Sequence, residues 1–254
     1  MRIGKQDQRT SAICTSTPET VTVRGRDLCA DLIGKTDFTS YFWLLVTGEA
    51  PSETQRFFAD AVLTAIAEHG LVPSVVAARI TYAAAPEAFQ GAVAAGLLGC
   101  GTVVLGSAET AGRFLSGLVE SGEDPAAAVA RLRAEKKAIP GFGHPLHQQG
   151  DPRANLLLKL ADERNAAGPH IEMLRSIKAA LPAALGRDLP INVNGAIPAV
   201  MLDVGFPLAA LKGISLLART ASLIAHLGEE SERPIGFILS GEAAAAIDYD
   251  GPEG

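Results

Sequence analysis

Aromatic side chains make up only 5% of this 254-residue chain. The core must therefore be built from Ala, Leu, Val and Ile, and the many alanines imply closely packed helices. Cysteine is scarce. Cys14, Cys29 and Cys100 are odd in number, far apart and without metal-ligand spacing. That excludes a disulfide framework and leaves reduced thiols serving as small buried hydrophobes. Positive charge is not in excess. The net charge of −6 gives no electrostatic ground for nucleic acid or an anionic membrane as partner. An anionic substrate would have to be met by a local cluster of Arg and His. No uncharged apolar run reaches the ~18 residues of a spanning helix; the run 92–105 is short and broken by Gly96, Gly99 and Gly101. The first residues, Met1 to Asp7, lack the apolar stretch of a secretory signal. The expectation is a soluble cytoplasmic protein.

Several common chemistries lack their residues as well. There is no phosphate loop, no dinucleotide fingerprint after a strand and no Gly-x-Ser-x-Gly elbow. Glu68 with His69, and His144 with His147, have no third partner at metal-ligand spacing, so no metal is expected. No tandem repeat occurs, and no short strands alternate with helices, which argues against a parallel sheet.

What is present is helical periodicity. Apolar residues recur at helical spacing over 38–47, from 52 to an end at 68–70, from 73 through 82, and over 86–98, 107–120, 125–137, 152–166, 169–181, 191–203 and 209–227. Gly and Pro punctuate them, and Asp37 is placed to cap the first. β-branched alternation over 11–23, split by Pro18 and Glu19, predicts a short hairpin. Residues 229–233 read as a charged hinge and 235–240 as a short apolar segment. The fold class expected is all-α with a small N-terminal β-hairpin.

Chemistry concentrates in a few places. Ile139, Pro140, Gly141, Phe142, Gly143, His144, Pro145, Leu146 and His147 form a helix-breaking turn around a histidine, with Asp151, Pro152 and Arg153 just beyond. Arg219 is the single arginine of the apolar stretch 209–227. A buried arginine is costly without an anion; Glu229 or Glu230 could pair with it, or a substrate carboxylate could. Arg153 opens a helix, where the dipole disfavours a cation, and Arg233 lies in the charged hinge. Arginine forks suit carboxylates, so this set suggests a polycarboxylate site.

These motifs, in order, resemble the citrate synthase family. Gly141-Phe142-Gly143-His144 with Asp151-Pro152-Arg153 is similar to the family's catalytic turn. Asn192-Val193-Asn194-Gly195, Leu217-Ala218-Arg219 with Ala225-His226, and Glu232-Arg233-Pro234 are similar to its later motifs. Arg24-Gly25-Arg26-Asp27-Leu28, Val46-Thr47-Gly48-Glu49 and Glu68-His69-Gly70 are similar to its earlier ones. Within the family the chain most resembles the compact citryl-CoA lyases and the citrate-synthase-like module of ATP citrate lyase.

The resemblance implies one two-lobed domain over 1–254, with a large lobe of about 1–134 and 190–254 and a small lobe of about 135–189. It implies making or breaking a C–C bond between an acyl-CoA and a 2-oxo acid such as oxaloacetate, in a homodimer or higher homo-oligomer with a shared site. Coenzyme A, as acyl-CoA, and a di- or tricarboxylate would be the small-molecule partners. His69 and His144 would polarise the 2-oxo acid carbonyl. Arg153, Arg219 and Arg233 would hold carboxylates, Arg233 across the dimer. The backbone of 139–143 and Asn192 would line the CoA channel, with Lys136 and Lys137 near its phosphates.

Two positions depart from the family pattern. Leu105 stands where synthases carry a thioester-polarising histidine, as lyase-type members also lack it. Asn194 stands where the family has its aspartate base, and an amide is not a base near neutral pH. Ser215 also replaces a usual phenylalanine. The chain then either recruits another base, such as Glu87, Glu109, Asp203 or the substrate itself, or is a non-catalytic binder of a polycarboxylate or acyl-CoA.

Overall fold

The computed structural model describes residues 9–103, 105–143 and 150–252, so His144 and His147 lie outside the described residues. The chain divides into two compact units, residues 1–60 and 61–254.

In the first unit the expected hairpin has a third strand. β1 (Cys14–Ser16), β2 (Val21–Val23) and β3 (Arg26–Asp27) form an antiparallel sheet in that order. Arg24 and Gly25 link β2 to β3 at positive φ, 49° and 78°, the backbone of a tight two-residue hairpin. Two residues are too few for alternation to show, so β3 leaves no periodic signal in the sequence. Asp27 then caps one π turn, Leu28–Leu32, accepting from the N–H groups of Cys29 and Ala30. Asp37 caps α1 (Phe38–Thr47) by accepting from Ser40 N–H at 2.8 Å, and Gly48 ends it in the left-handed conformation. Val23, Leu32 and Leu44 are the buried core, and Arg24 Nε donates to the Leu45 carbonyl at 3.0 Å. An apolar hollow of about 200 Å³ opens between Leu28, Leu32, Ile33, Phe38 and Tyr41 and holds none of the expected site residues. Cys14 and Cys29 are exposed, against expectation: one lies on an edge strand, the other in the solvent-facing π turn. Cys100 is buried as expected.

α2 (Glu53–Ala67) crosses the division. The second unit continues with α3 (Pro73–Ala84), α4 (Phe89–Leu98), α5 (Ser107–Ser121), α6 (Pro125–Ala134), α7 (Pro152–Glu163), α8 (Pro169–Leu185), α9 (Val193–Asp203), α10 (Leu211–Glu232) and α11 (Gly236–Ala245). The all-α reading holds. α9 is the central helix. It packs on α5, α7 and α8 and buries Val193, Ala196, Ile197, Ala199, Val200 and Met201. α5 approaches closely because residue 112 is glycine: a Cβ there would lie 2.4 Å from Leu211 and 3.1 Å from Pro198. α10 lies on α3, α4 and α5, sharing a core of Val75, Ala78, Ala92, Leu223 and Leu227. By length and composition 208–232 could cross a membrane; here it is a packed helix.

α10 also corrects the hinge expected at 229–233. The helix continues to Glu232, because Arg79 on α3 takes up the charge of Glu229 and Glu230 at 2.8 and 2.6 Å. α8 similarly runs through Pro182 and ends at the left-handed Gly186.

Asp203 closes α9 and opens α8. It accepts from the N–H groups of Gly168 (2.8 Å), His170 (3.0 Å) and Ile171 (3.0 Å) and from His170 Nδ1 (2.8 Å). Burial pushes its carboxyl up, but the bonds from His170, Ile171 and Gly168 outweigh it and leave the group below the ordinary aspartate range. Asp203→Asn should cost about 2–3 kcal/mol in urea unfolding, since an amide turns a donor toward a row of donors. The wild-type advantage should be full at neutral pH and vanish as the pH falls through the depressed folded-state value, because a carboxyl held low stabilises only while ionised.

Candidate active site

α10 carries a polar stripe on its buried face. Ser215, Arg219, Ser222 and Glu230 are all 5% exposed or less, and with His226 they recur at the three- and four-residue steps that share one side of a helix. Arg79, buried on α3, faces them. Its Nε donates to Glu230, and its Nη1 to Glu229 and, at 3.2 Å, to His226 Nδ1. A guanidinium has no acceptor, so His226 Nδ1 must accept and its Nε2 must carry the proton. That Nε2 donates to Glu68 at 3.0 Å.

Arg79 thereby settles the alternatives for Arg219. Glu229 and Glu230 are both taken, and among the described residues no carboxylate pairs with Arg219. Among the described residues the Arg219 side chain makes one bond, Nη1 to Ser222 Oγ at 3.2 Å, while its buried Nε has no partner. Cys100, whose thiol burial pushes up, feels the Arg219 charge. A desolvated guanidinium without a counter-charge is expensive, so the site is chemically incomplete without an anion.

The loop after α2 brings His69 to this cluster. Glu68 accepts from the backbone N–H of His69 (2.8 Å) and Gly70 (2.5 Å), and from Ser222 Oγ (2.7 Å). Burial pushes Glu68 up, yet the bonds from Ser222, His226 and Gly70 outweigh it and bring its pKa down to about 2. Glu68 is thus ionised at any working pH.

A second cluster forms at the start of α9. Asn192 caps the helix through Gly195 N–H (3.2 Å), donates from Nδ2 to the Gly143 carbonyl (2.7 Å) and from its backbone N–H to the Gly141 carbonyl (3.0 Å). Gly143 N–H donates in turn to the Pro190 carbonyl at 2.8 Å. Gly141 and Gly195 touch backbone to backbone: a Cβ on Gly195 would lie 2.6 Å from the Gly141 carbonyl oxygen. Asp151, fully buried, accepts from Val193 N–H at 2.9 Å and from Arg153 Nε and Nη2 at 3.0 Å each. Burial pushes this carboxyl up, but Arg153 and the Val193 N–H hold it below its usual range. One edge of the Arg153 fork, Nε with Nη2, is therefore spent on Asp151. Asn194 is half-buried in the first turn of α9.

Beside this wall lies a cavity of about 450 Å³, lined by Ile139, Phe142 and Gly143 on one side and by Arg133, Lys136, Lys137 and Arg187 on another. Four cations around one cavity in a chain of net charge −6 are a local anion site. Leu105 adopts φ +66°, uncommon for a side chain of this size.

Of the described residues expected at the site, all but Arg233 fall into these two clusters, and α5 packs against both α9 and α10. His69 joins Arg219 through Glu68 and Ser222; residues 139–143 join Asn192. Arg233 is exposed at the end of α10, where its carbonyl accepts from Arg79 Nη2 at 3.3 Å. Among the candidate bases, Asp203 is committed to α8, Glu109 bonds Arg113 at 2.8 Å, and Glu87 is exposed. The sequence reading missed Arg79, Ser222, Arg133 and Arg187. Arg79 and Ser222 had a signal: a lone charge in apolar α3, and the step of three from Arg219.

Residues 36–236 match the model of the citrate synthase C-terminal domain. The chain belongs to the citrate synthase family. It is similar to the citryl-CoA lyase of Hydrogenobacter thermophilus, at 29% identity and a TM-score of 0.89 over 96% of this chain and 95% of that one. The ATP citrate lyase of Methanothrix soehngenii, solved with citrate and coenzyme A, shares the fold at 24% identity and a TM-score of 0.83, over 99% of this chain and 43% of that one. The citrate synthase of Haloferax volcanii is 24% identical over 75% of this chain and 51% of its own length. The chain spans about half the length of the curated citrate synthases it matches.

The backbone contact at Gly141 and Gly195 makes a sharp prediction. Gly195→Ala should push the 139–143 turn away from α9 and cost about 1–3 kcal/mol, whereas Gly117→Ala, where a Cβ meets nothing within 4 Å, should leave the thermal midpoint unchanged or higher. Equal midpoints for the two variants would refute the contact.

Proposed function

We propose that the chain is a citryl-CoA lyase-like enzyme that makes or breaks the C–C bond between an acyl-CoA and a 2-oxo acid such as oxaloacetate. The observation that carries the reading is Arg219, a buried guanidinium whose available carboxylates are both claimed by Arg79. A substrate carboxylate is the anion that completes it. In this reading His69 and His144 polarise the carbonyl, or the citryl hydroxyl in the cleavage direction. Arg153 contributes the edge of its fork not spent on Asp151, and Arg233 reaches across a homodimer. Coenzyme A runs along the backbone of 139–143 and Asn192, its phosphates among Lys136, Lys137, Arg133 and Arg187. The large lobe of 1–134 and 190–254 and the small lobe of 135–189 would meet around the ligands. The protein acts in the cytoplasm.

Asn194 favours a second reading, a non-catalytic member that binds a polycarboxylate or acyl-CoA. A cleavage assay with citryl-CoA separates the two. The enzyme reading expects turnover that Arg187→Glu lowers by raising the KM for citryl-CoA. It also expects Asn194→Asp to speed methyl-proton exchange of acetyl-CoA in D₂O by about 10²–10⁴-fold, the usual worth of a positioned base. No cleavage by wild type at high enzyme concentration, with citrate and CoA still bound, leaves the binding reading standing.

The shared site is tested by complementation. Arg219→Ala and Arg233→Ala should each abolish citryl-CoA cleavage alone. A refolded mixture of the two should recover up to about a quarter of wild-type turnover, because a mixed dimer contains one site free of both changes. No recovery, with mixed dimers of differently tagged subunits present by mass, assigns Arg233 to its own subunit's site.

A further inference from the structure

We propose that Glu68 is a positioning residue that sets His69 and Arg219 relative to each other, and so determines recognition of the carboxylate end of the substrate. The inference rests on the proposed function for the identity of that substrate. Its geometry does not.

One carboxylate joins the turn after α2 to α10. Glu68, His69 and Gly70 are all exposed. Glu68 Oε1 gathers the N–H groups of His69 and Gly70, which holds the backbone from which the His69 side chain leaves. Glu68 Oε2 reaches α10 and accepts from both Ser222 and His226. The polarity of each chain of bonds runs one way. Arg219 Nη1 donates to Ser222, and Ser222 donates to Glu68; Arg79 donates to His226, and His226 donates to Glu68. Every donor ends on the same anion, so no member can be reversed without stranding another.

The consequence is a fixed guanidinium. Among the described residues the Arg219 head group bonds Ser222 alone, and Glu68 decides which way the Ser222 hydroxyl points. An ionised Glu68 makes that hydroxyl donate outward and leaves its lone pairs for Arg219. A neutral amide at 68 presents N–H groups to Ser222 and His226, turns the serine round and releases Arg219 from its rotamer. Glu68 touches no reacting atom in this scheme; it acts through His69 and Arg219.

The test titrates the full-length protein with citrate and, separately, with coenzyme A by calorimetry. Glu68→Gln should bind citrate about tenfold or more weakly, the cost of losing one charge-assisted hydrogen-bond arrangement, while coenzyme A affinity stays within about twofold. Ser222→Ala cuts only the branch to Arg219 and should show a smaller loss, about 3–10-fold on the same scale. In an Arg219→Ala background the Glu68→Gln loss should shrink, since one of its two routes is gone. A merely structural role would lower both affinities and the thermal midpoint together. A citrate affinity in Glu68→Gln equal to that of wild type overturns the inference. If wild type itself binds no citrate, the proposed function fails instead. The positioning is then read without ligand, from the backbone amide resonances of His69 and Gly70. These should move upfield in Glu68→Gln, and unmoved resonances overturn the inference on their own.

Discussion

The ion pair between Arg79 and the two glutamates at the end of α10 governs much of the second unit. Buried pairs of this kind contribute little net stability, because desolvation offsets most of the attraction. Their importance here lies in what they take out of circulation. Glu229 is held below its usual range by Arg79, and Glu230 also accepts from the N–H groups of Ile235 and Gly236, so the pair fixes the turn into α11. It lets α10 run five residues beyond the apolar periodicity, to Glu232. Above all it keeps Glu229 and Glu230 from pairing with Arg219. The unsatisfied guanidinium is made by a neighbour that is satisfied.

The second cluster is built on different physics. The 139–143 turn meets α9 almost without side chains: two glycines in contact, an asparagine cap that reaches back, and a buried aspartate that takes an N–H of α9. Backbone so close to backbone leaves carbonyls and amides at the rim of the basic cavity, where they can read the shape of a ligand, while Arg133, Lys136, Lys137 and Arg187 supply charge. The two clusters therefore divide the labour between shape and charge on one side and paired, directional hydrogen bonds on the other.

The sequence made the helices legible because their faces are periodic and their ends carry Gly, Pro and Asp caps. It also made the ordered motifs legible, and with them the family. It did not show β3, which is two residues long, or the exposure of Cys14 and Cys29, which depends on which strand lies at the edge. The charged end of α10 read as a hinge because Glu229 and Glu230 look solvated until α3 is seen to place Arg79 beside them. For the same reason Arg219 kept two possible fates in the sequence. Pairing between helices far apart in the chain cannot be read from local pattern, and the character of the site depends on such a pairing.

Asn194 and Leu105 alter the thioester half of the chemistry and leave the carboxylate half intact, and under the proposed reading this bears on how the proton at carbon moves. Condensation begins by taking a proton from the acyl methyl group, which needs a base where Asn194 stands. Cleavage begins at the citryl hydroxyl, on the side of His69, His144 and the arginines. As the hydroxyl proton goes to a histidine, the C–C bond breaks and its electrons pass to the thioester as an enolate; water then returns a proton to carbon. An amide in the first turn of α9 cannot accept a proton, but it can donate a hydrogen bond to a developing enolate oxygen, and the N-terminal end of a helix favours negative charge there. The same amide can neither take the methyl proton in condensation nor, since both directions pass through one transition state, return it in cleavage, so under this reading the proton at carbon is exchanged with water in both directions.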